Sequence, residues 1–187
     1  MAVFETIRKF FVAPQDAAAP ERVVPAQPTT YRIRPLTSAQ LDEVLRLNMR
    51  CFRNGENYTK HTFSFLLNEP GTISFRAVDA AGEMVGFAFV MINHNGAAHL
   101  TTIGVAPQHR RRGLASKLLI HLEKALAAKR IDTIVLEVRV GNTDAQQLYD
   151  RAGYTVVQRI ANYYNNGEDC FLMMKSLAAA TDGQTAC

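Results

Sequence analysis

The segment with the clearest chemical potential is an apolar strand followed by a turn rich in arginine and glycine. It reads Val105-Ala-Pro-Gln-His-Arg-Arg-Arg-Gly-Leu-Ala-Ser116, and a helix is predicted to begin at about Gly113. A helix start leaves backbone N–H groups unpaired and carries a partial positive charge, so it attracts anions. Arg110, Arg111 and Arg112 add charge there. The segment predicts a pyrophosphate-binding turn, with a solvated or RNA-binding helix start as the open alternative.

A second group of chemically useful side chains follows in residues 136–149. Asn142 is placed to cap a helix, and Ala145 and Tyr149 lie three and seven residues later on the same helical stripe. A phenol at that position could act as a general acid. An aromatic residue at helical spacing is more often part of the core, and the residues alone favour that interpretation.

Glu137 stands in the middle of an apolar strand predicted over residues 133–140. Desolvation there would raise the pKa of its carboxyl group and make it a candidate general base. Arg139 lies two residues on, on the same face of the strand, and could instead hold Glu137 in a structural ion pair. On sequence alone the ion pair is the favoured interpretation.

Hydrophobic periodicity predicts elements in the order β-α-α-β-β-β-α-β-α-β-β to position these residues. Turn-rich connections at residues 79–82 and 93–96 are typical of antiparallel hairpins, and a β-α-β crossover follows them. The expected fold class is α/β (α+β), with a mixed central sheet of about seven strands and helices on both faces.

The chain is predicted to contain one globular domain over residues 31–177. Residues 1–30 hold four of the seven prolines and are expected to form a flexible Pro/Ala-rich tail or linker. Residues 178–187 are expected to form a flexible C-terminal tail.

Composition narrows the class of protein without choosing its ligand. The net charge of +4 favours anionic partners, which include nucleotides, RNA and acidic peptides. The three cysteines are widely spaced with no secretory leader before them, so we expect reduced thiols and a cytoplasmic location. The apolar runs are shorter than the roughly 20 residues that span a bilayer, so no membrane role is expected. The five histidines are scattered along the sequence, and no metal is expected.

The arginine-rich turn also resembles a family signature. Arg110-Arg-Arg-Gly-Leu-Ala115 resembles the Arg/Gln-x-x-Gly-x-Gly/Ala signature of the GCN5-related N-acetyltransferases (GNAT), and it lies between a strand and a helix as that signature does. The resemblance implies the GNAT fold and acetyl-CoA as co-substrate. The residues that it assigns to the coenzyme are Ile103, Gly104 and Val105 beside the pantetheine, and Arg110, Arg111, Arg112, Gly113, Leu114, Ala115 and Ser116 around the pyrophosphate.

Gly104 interrupts the apolar strand Thr-Thr-Ile-Gly-Val before this turn. A glycine within a strand indicates a bulge or a close approach of another group to the backbone. Its freed N–H could bind the thioester carbonyl and stabilise an oxyanion by about 3 kcal/mol. A glycine required only for packing is the alternative.

A longer resemblance covers residues 137–149. Glu137-Val-Arg-Val-Gly-Asn-Thr-Asp-Ala-Gln-Gln-Leu-Tyr149 looks like the Glu-Val-Arg-x-x-Asn-x-x-Ala-x-x-Leu-Tyr segment of ribosomal-protein alanine N-acetyltransferases (RimI) and related N-terminal acetyltransferases. This resemblance implies Asn142 as a coenzyme contact, Tyr149 as general acid and Glu137 as base.

Two further segments resemble the peptide-binding parts of N-terminal acetyltransferases. Asn162-Tyr-Tyr-Asn-Asn-Gly-Glu-Asp-Cys170 is similar to their Tyr-Tyr-x-x-Gly-Glu-Asp-Ala ending, and Glu56-Asn-Tyr58 resembles their Pro-Glu-Asn-Tyr motif, with Gly55 in place of the proline. The implied substrate-binding residues are Glu56, Tyr58, Tyr163 and Tyr164.

The resulting hypothesis is acetyl transfer from acetyl-CoA to the N-terminal α-amine of a protein, such as a ribosomal protein. Direct transfer in a ternary complex is expected because no Ser-His-Asp or Cys-His arrangement suggests an acyl-enzyme. A monomer or weak dimer with no direct nucleic-acid role is expected. The alternatives are a lysine or small-amine acetyltransferase on the same fold, a non-catalytic RNA- or ribosome-binding module, and an acyl-CoA-binding regulator without turnover.

Overall fold

The computed structural model describes residues 23–52 and 57–177. The described strands are β1 (Arg32–Pro35), β2 (Thr72–Val78), β3 (Met84–Ile92), β4 (Ala98–Val105), β5 (Thr133–Arg139), β6 (Thr155–Ile160) and β7 (Cys170–Ser176). The described α-helices are α1 (Leu41–Cys51), α2 (Lys60–Asn68), α3 (Leu114–Ala128) and α4 (Thr143–Arg151). Short 3₁₀ turns at Ser38–Gln40 and Pro107–His109 precede α1 and α3. The predicted order of elements is confirmed.

All seven described strands form one sheet in the order β1-β2-β3-β4-β5-β7-β6. Neighbouring strands are antiparallel except β4 and β5, which are parallel and joined by the crossover through α3. A parallel neighbour requires such a long connection, whereas hairpins join antiparallel strands. The mixed sheet of about seven strands that the periodicity predicts is therefore confirmed.

Helices pack through apolar side chains against both faces of the sheet. Phe63 of α2 packs its ring against Phe87 and Phe89 of β3, with centroids 6.0 and 5.4 Å away. Leu118 and Leu122 of α3 are fully buried on the opposite face, where their helical spacing keeps them on one stripe. The core thus lies in two layers, one on each side of β3 and β4.

Strand β4 contains a bulge that ends its pairing with β5. Phe89 lies opposite Thr102 and Val90 opposite Leu100, so Thr101 is an extra residue in β4. Beside it, β4 pairs with β5 only at Ala98 and His99. A bulge bends a strand and interrupts its ladder, and such bulges are common beside active sites. Beyond His99 the two strands separate and leave a gap that opens toward their carboxyl ends.

Helix α4 begins at a capped position beside this gap. The side chain of Asn142 accepts a hydrogen bond from the Ala145 N–H at 3.1 Å, which confirms the predicted cap. An asparagine cap of this kind stabilises a helix by about 1 kcal/mol. Its fixed start places Tyr149 two turns later on the buried side of α4.

Part of the segment that we predicted as a flexible tail contacts the domain. The Ala26 N–H donates to the Gln108 carbonyl at 2.9 Å, and Thr29 Oγ1 accepts from the Ala80 N–H at 3.3 Å. The rest of the two predicted tails, residues 1–22 and 178–187, lies outside the described residues. Within the described ranges, none of the helices has the length and apolar character to cross a membrane.

Candidate active site

The turn between β4 and α3 presents a row of unpaired backbone N–H groups. Arg111 and Gly113 have positive φ angles of 61° and 72°, and such left-handed residues turn successive N–H groups toward one concavity. Lys117 is the first residue of α3 whose N–H bonds back to the turn, to the Gly113 carbonyl at 3.0 Å. No described backbone carbonyl accepts from the N–H groups of residues 111–116. This arrangement fits the predicted pyrophosphate-binding role of these residues.

The side chains of Arg110 and Arg111 leave the turn in different directions. Arg110 Nε donates to the Val105 carbonyl and its Nη2 to the Cys51 carbonyl, both at 3.1 Å, so this side chain ties the turn to the end of α1. Arg111 pairs with Asp144 at 3.0 Å, and both side chains are about three-quarters exposed. An exposed pair is worth at most about 1 kcal/mol, so Arg111 can leave it for a phosphate.

Arg112 is held by the N-terminal segment. Its Nη1 donates to the Gln27 carbonyl at 3.0 Å and to the Tyr31 hydroxyl at 2.9 Å, and its Nη2 donates to the Ala26 carbonyl. Their adjacency in the sequence suggested that the three arginine side chains converge on one point. In the structure they do not. The adjacency indicates charge near the turn, but the direction of each side chain depends on contacts that are distant in sequence.

Gly104 is required for a close approach, and the bulge lies three residues earlier, at Thr101. A Cβ atom at Gly104 would lie 2.8 Å from the Phe87 ring and 3.2 Å from Cys51 Sγ. The close approach that we predicted at this glycine is confirmed, and it is a packing contact.

The predicted oxyanion donor at Gly104 needs a correction. The Ala106 N–H donates to the Val85 carbonyl at 2.9 Å, and Gly104 lies opposite Phe87 in the same ladder. Since backbone groups alternate along an antiparallel strand, the Gly104 N–H faces β3, whereas those of Ile103 and Val105 face the gap. Donors along the gap are therefore supplied by the residues on either side of Gly104.

Glu137 pairs with His99 across the start of the gap. His99 Nε2 lies 2.6 Å from Glu137 Oε2, and their side chains are only 4% and 7% exposed. A carboxylate can only accept, so His99 Nε2 carries the proton in this hydrogen bond. Glu137 Oε1 is buried and accepts no hydrogen bond from the described residues. That oxygen is available to a water molecule or to an amine.

Arg139, which we considered as the ion partner of Glu137, forms its close ion pair with Glu168. Arg139 Nη1 lies 2.6 Å from Glu168 Oε2, and its guanidinium stacks 3.6 Å from the centre of the Tyr164 ring. Glu168 Oε1 also accepts from the Gly141 N–H at 2.8 Å. The Gly141 hydrogen bond and Arg139 hold the pKa of Glu168 below its usual value. Glu168 thereby fixes the β6–β7 loop to the end of β5.

Two of the predicted peptide-binding residues, Tyr58 and Tyr164, lie near Glu137, and Tyr163 contacts Tyr164. The buried Tyr58 donates its hydroxyl hydrogen bond to the carbonyl of Thr101, the bulge residue, at 3.0 Å. Burial and the nearby Glu137 charge raise its pKa far above the ordinary value. Tyr163 and Tyr164 meet edge to face with ring centroids 5.1 Å apart, and burial likewise raises the pKa of Tyr164. Glu56 lies outside the described residues.

Tyr149 lies in the core, which was one of the two interpretations that the sequence left open. Its side chain is part of the core and lies 5.7 Å from the Tyr154 ring, between centroids. Burial raises its pKa well above 10, so the phenol keeps its proton at neutral pH. Its hydroxyl makes no hydrogen bond to the described part of the chain. A protonated phenol without a partner fits the general acid that the resemblance implies.

Two residues of this site, His99 and Glu168, were missed by sequence reasoning. His99 was weighed only as a metal ligand, and no group of three or more His, Cys, Asp or Glu side chains within the described ranges could hold a metal ion. A histidine within an apolar strand indicates a buried imidazole that needs a hydrogen-bond partner. The identity of that partner, Glu137, depends on the β4–β5 register. Glu168 is part of the Tyr-Tyr-x-x-Gly-Glu-Asp motif, but the sequence did not indicate its ion pair with Arg139.

Comparisons with known proteins agree with this geometry. The sequence model of the Acetyltransferase (GNAT) family matches residues 41–154. An N-alpha-acetyltransferase of Sulfurisphaera tokodaii is 31% identical over 159 residues, covering 79% of this chain and 93% of that protein. The ribosomal-protein-S18-alanine N-acetyltransferase of Escherichia coli has a TM-score of 0.73 at 27% identity, covering 82% of this chain and 98% of that one.

A mutant form of the spermidine/spermine N-acetyltransferase SpeG from Vibrio cholerae also matches, with a TM-score of 0.65 and 21% identity, over 79% of this chain and 95% of that one. At that identity the likeness shows the fold alone. The fold by itself therefore does not select between a peptide and a small amine as acceptor.

Proposed function

This chain belongs to the acetyltransferase (GNAT) family, and we propose that it transfers the acetyl group of acetyl-CoA to the N-terminal α-amine of a protein. The carrying observation is the buried Glu137–His99 pair at the start of the β4–β5 gap. Tyr58 and Tyr164 lie close enough to Glu137 that its charge, together with burial, raises the pKa of both hydroxyl groups. The similarity to curated N-alpha-acetyltransferases supports an α-amine acceptor.

The coenzyme would lie along the gap between β4 and β5. The unpaired N–H groups of residues 111–116 would bind its pyrophosphate, and the N–H groups of Ile103 and Val105 would follow its pantetheine. The side-chain amide nitrogen of Asn142 is left for a further contact, since its oxygen caps α4. Acetyl-CoA supplies an activated acyl group as a thioester, and the chain's residues orient it and move protons.

Glu137 is proposed to take the proton of the acceptor amine. An α-ammonium group has an ordinary pKa of about 7.7 to 8.0, so modest assistance makes it nucleophilic near pH 7. Oxygen Oε1 can accept that proton directly or through one water, while Oε2 is held by His99. His99 fixes the carboxylate in orientation and stabilises its charge in a buried position.

Tyr149 is proposed to give its proton to the departing thiolate. A phenol whose pKa is raised by burial remains protonated through the pH range in which the amine becomes nucleophilic. The acid and the base are on α4 and β5, which are adjacent in the chain. Direct transfer within a ternary complex needs no further catalytic residue.

The acceptor is proposed to enter past Tyr58, Tyr163 and Tyr164. Their hydroxyl groups can hydrogen-bond an extended peptide backbone, and the Glu168 contacts hold the β6–β7 loop that carries two of them. Similarity to the Escherichia coli enzyme makes the N-terminus of a ribosomal protein that begins with alanine the first acceptor to test.

The test measures thiol release from acetyl-CoA with peptides that begin with Ala, Ser, Met or Glu, with an N-blocked lysine peptide, and with spermidine. Mass spectrometry of the products locates the acetyl group. We expect α-amine acetylation of at least one unblocked peptide, and a Glu137→Gln variant should lose that activity. Turnover confined to the blocked lysine peptide or to spermidine would replace the proposal with the lysine or small-amine alternative. Coenzyme binding without turnover on any acceptor would favour the regulator.

A further inference from the structure

A short stretch of chain before β1 lies directly against the turn between β4 and α3. This N-terminal strap, residues 26–31, contacts the turn at two backbone positions: the Ala26 N–H donates to the Gln108 carbonyl at 2.9 Å, and the Gln27 carbonyl accepts from Arg112 at 3.0 Å. The Ala26 carbonyl accepts from the same guanidinium. The strap lies before residues 41–154, the part of the chain that the family model matches.

Tyr31 is the side-chain link between the strap and the turn. Its hydroxyl accepts from Arg112 Nη1 at 2.9 Å and lies 3.0 Å from His109 Nδ1. Burial and the Arg112 charge lower the pKa of His109, so its ring is neutral at neutral pH and Nδ1 can accept the hydroxyl proton. The result is a chain of hydrogen bonds from Arg112 through Tyr31 to His109, which is itself part of the turn.

The partners of Arg112 leave its charge intact. Two carbonyls and a hydroxyl hold the guanidinium without a carboxylate among the contacts that the strap makes. Arg111 differs, because Asp144 offsets its charge until a phosphate displaces that carboxylate. Among the described residues no carboxylate pairs with this fixed cation next to Gly113, and its charge strengthens the anion site formed by the N–H groups of the turn.

The strap also restricts the backbone that binds the anion. Arg111 and Gly113 are exposed and have positive φ angles, so ordering the turn at the moment of binding would cost conformational entropy. Contacts made beforehand by Arg112 and Gln108 remove part of that cost, which is the usual benefit of preorganisation.

We propose that the N-terminal strap is part of the coenzyme site: it positions Arg112 and the turn, and thereby strengthens binding of the coenzyme pyrophosphate. This inference depends on the proposed function only in taking coenzyme A as the ligand of the turn. Tyr31 and Arg112 act as positioning residues for coenzyme binding and do not take part in acetyl transfer.

The experiment measures coenzyme A binding to the full chain by calorimetry. Tyr31→Phe removes only the linking hydroxyl, and its dissociation constant for coenzyme A should rise about 5- to 10-fold. Ala26→Pro removes the N–H that donates to Gln108 and should weaken binding in the same direction. Tyr154→Phe is the matched control, since it loses one hydroxyl that donates to Glu123 at 3.2 Å, away from the turn, and should leave the coenzyme constant unchanged.

Peptide KM at saturating acetyl-CoA and the thermal midpoint separate positioning from general stability. The inference expects an unchanged peptide KM in Tyr31→Phe and Ala26→Pro. It is overturned if either variant unfolds at a lower temperature yet binds coenzyme A as the wild type does, or if the change appears in peptide KM instead. Failure of the wild-type chain to bind coenzyme A would instead reject the proposed function.

Discussion

His99 Nε2 and Glu137 Oε2 lie 2.6 Å apart on strands that are hydrogen-bonded to each other for only two residues. His99 is opposite Val135, and Glu137 follows two residues later on the same face of β5. The pair therefore spans the point at which the sheet opens, and its geometry depends on the last rung of the β4–β5 ladder.

Replacing Glu137 by glutamine should lower kcat by about 10²- to 10⁴-fold, because the amide keeps the shape but cannot take the amine proton. His99→Gln should cause a smaller loss, and the double variant should be no worse than Glu137→Gln alone, since the two residues act as one unit. Steady-state kinetics on a peptide substrate measure these effects.

Glu83→Gln, at an exposed carboxylate outside the site, is the matched control and should retain wild-type kcat. Full activity of Glu137→Gln, or additive losses in the double variant, would contradict the proposed pair.

Tyr149→Phe should reduce kcat by about 10²-fold with little change in coenzyme affinity, because only the proton donor is removed. Tyr154→Phe provides the comparison: its ring lies 5.7 Å away, and its hydroxyl donates to Glu123 at 3.2 Å, away from the gap. That variant should lose stability in a urea titration and keep its kcat. Equal turnover in both variants would remove Tyr149 as the acid.

Gly104→Ala should destabilise the fold by about 1 to 3 kcal/mol, because the new methyl group would lie 2.8 Å from the Phe87 ring. Urea unfolding measures the loss. Adding Phe87→Leu should recover part of it, since the smaller side chain vacates the ring position. If Gly104→Ala is as stable as the wild type, the packing explanation for this glycine is wrong.

The Glu168 contacts predict a pH dependence. Its folded pKa is lowered from 4.5 by the Gly141 N–H and Arg139, so its stabilising effect is complete above pH 4.5 and declines as pH falls through the folded pKa. Because the group is partly exposed, the effect is at most about 1 kcal/mol. Glu168→Gln should thus be less stable than the wild type at pH 7, and the difference in thermal midpoint should shrink progressively as the pH is lowered below 4.5. An unchanging difference across that range would exclude the carboxylate as its source.

Features that depend on neighbours in the chain could be predicted from the sequence. The Asn142 cap, the helix start after Gly113 and the order of strands all follow from local spacing, turn chemistry and period, and the structure agrees with them. The resemblance also singled out Glu137 and Tyr149, which the structure places on β5 and on the helix that follows it, α4.

Features that depend on strand register could not be predicted in this way. The partner of Glu137 was sought two residues away at Arg139, whereas it lies 38 positions earlier in His99. The direction of the Gly104 N–H and the position of the bulge follow from which residues of β3 lie opposite β4. Likewise, the docking of residues 26–31 on the turn involves contacts across about 80 residues, which no local pattern encodes.

The bulge at Thr101 also determines which side chains of β4 share a face of the sheet with Glu137. Side chains alternate along a strand, so one additional residue reverses the parity of everything before it. Opposite Phe89, Thr102 shares the face on which Phe63 packs, and the extra Thr101 gives that same face to His99, opposite Met91. In a ladder without the bulge, Thr101 would lie opposite Val90, Leu100 opposite Met91 and His99 opposite Ile92. Leu100 would then share the face of Glu137, and the imidazole would enter the apolar layer beneath α3. A single residue that pairs with nothing in β3 thus keeps the histidine in phase with its glutamate.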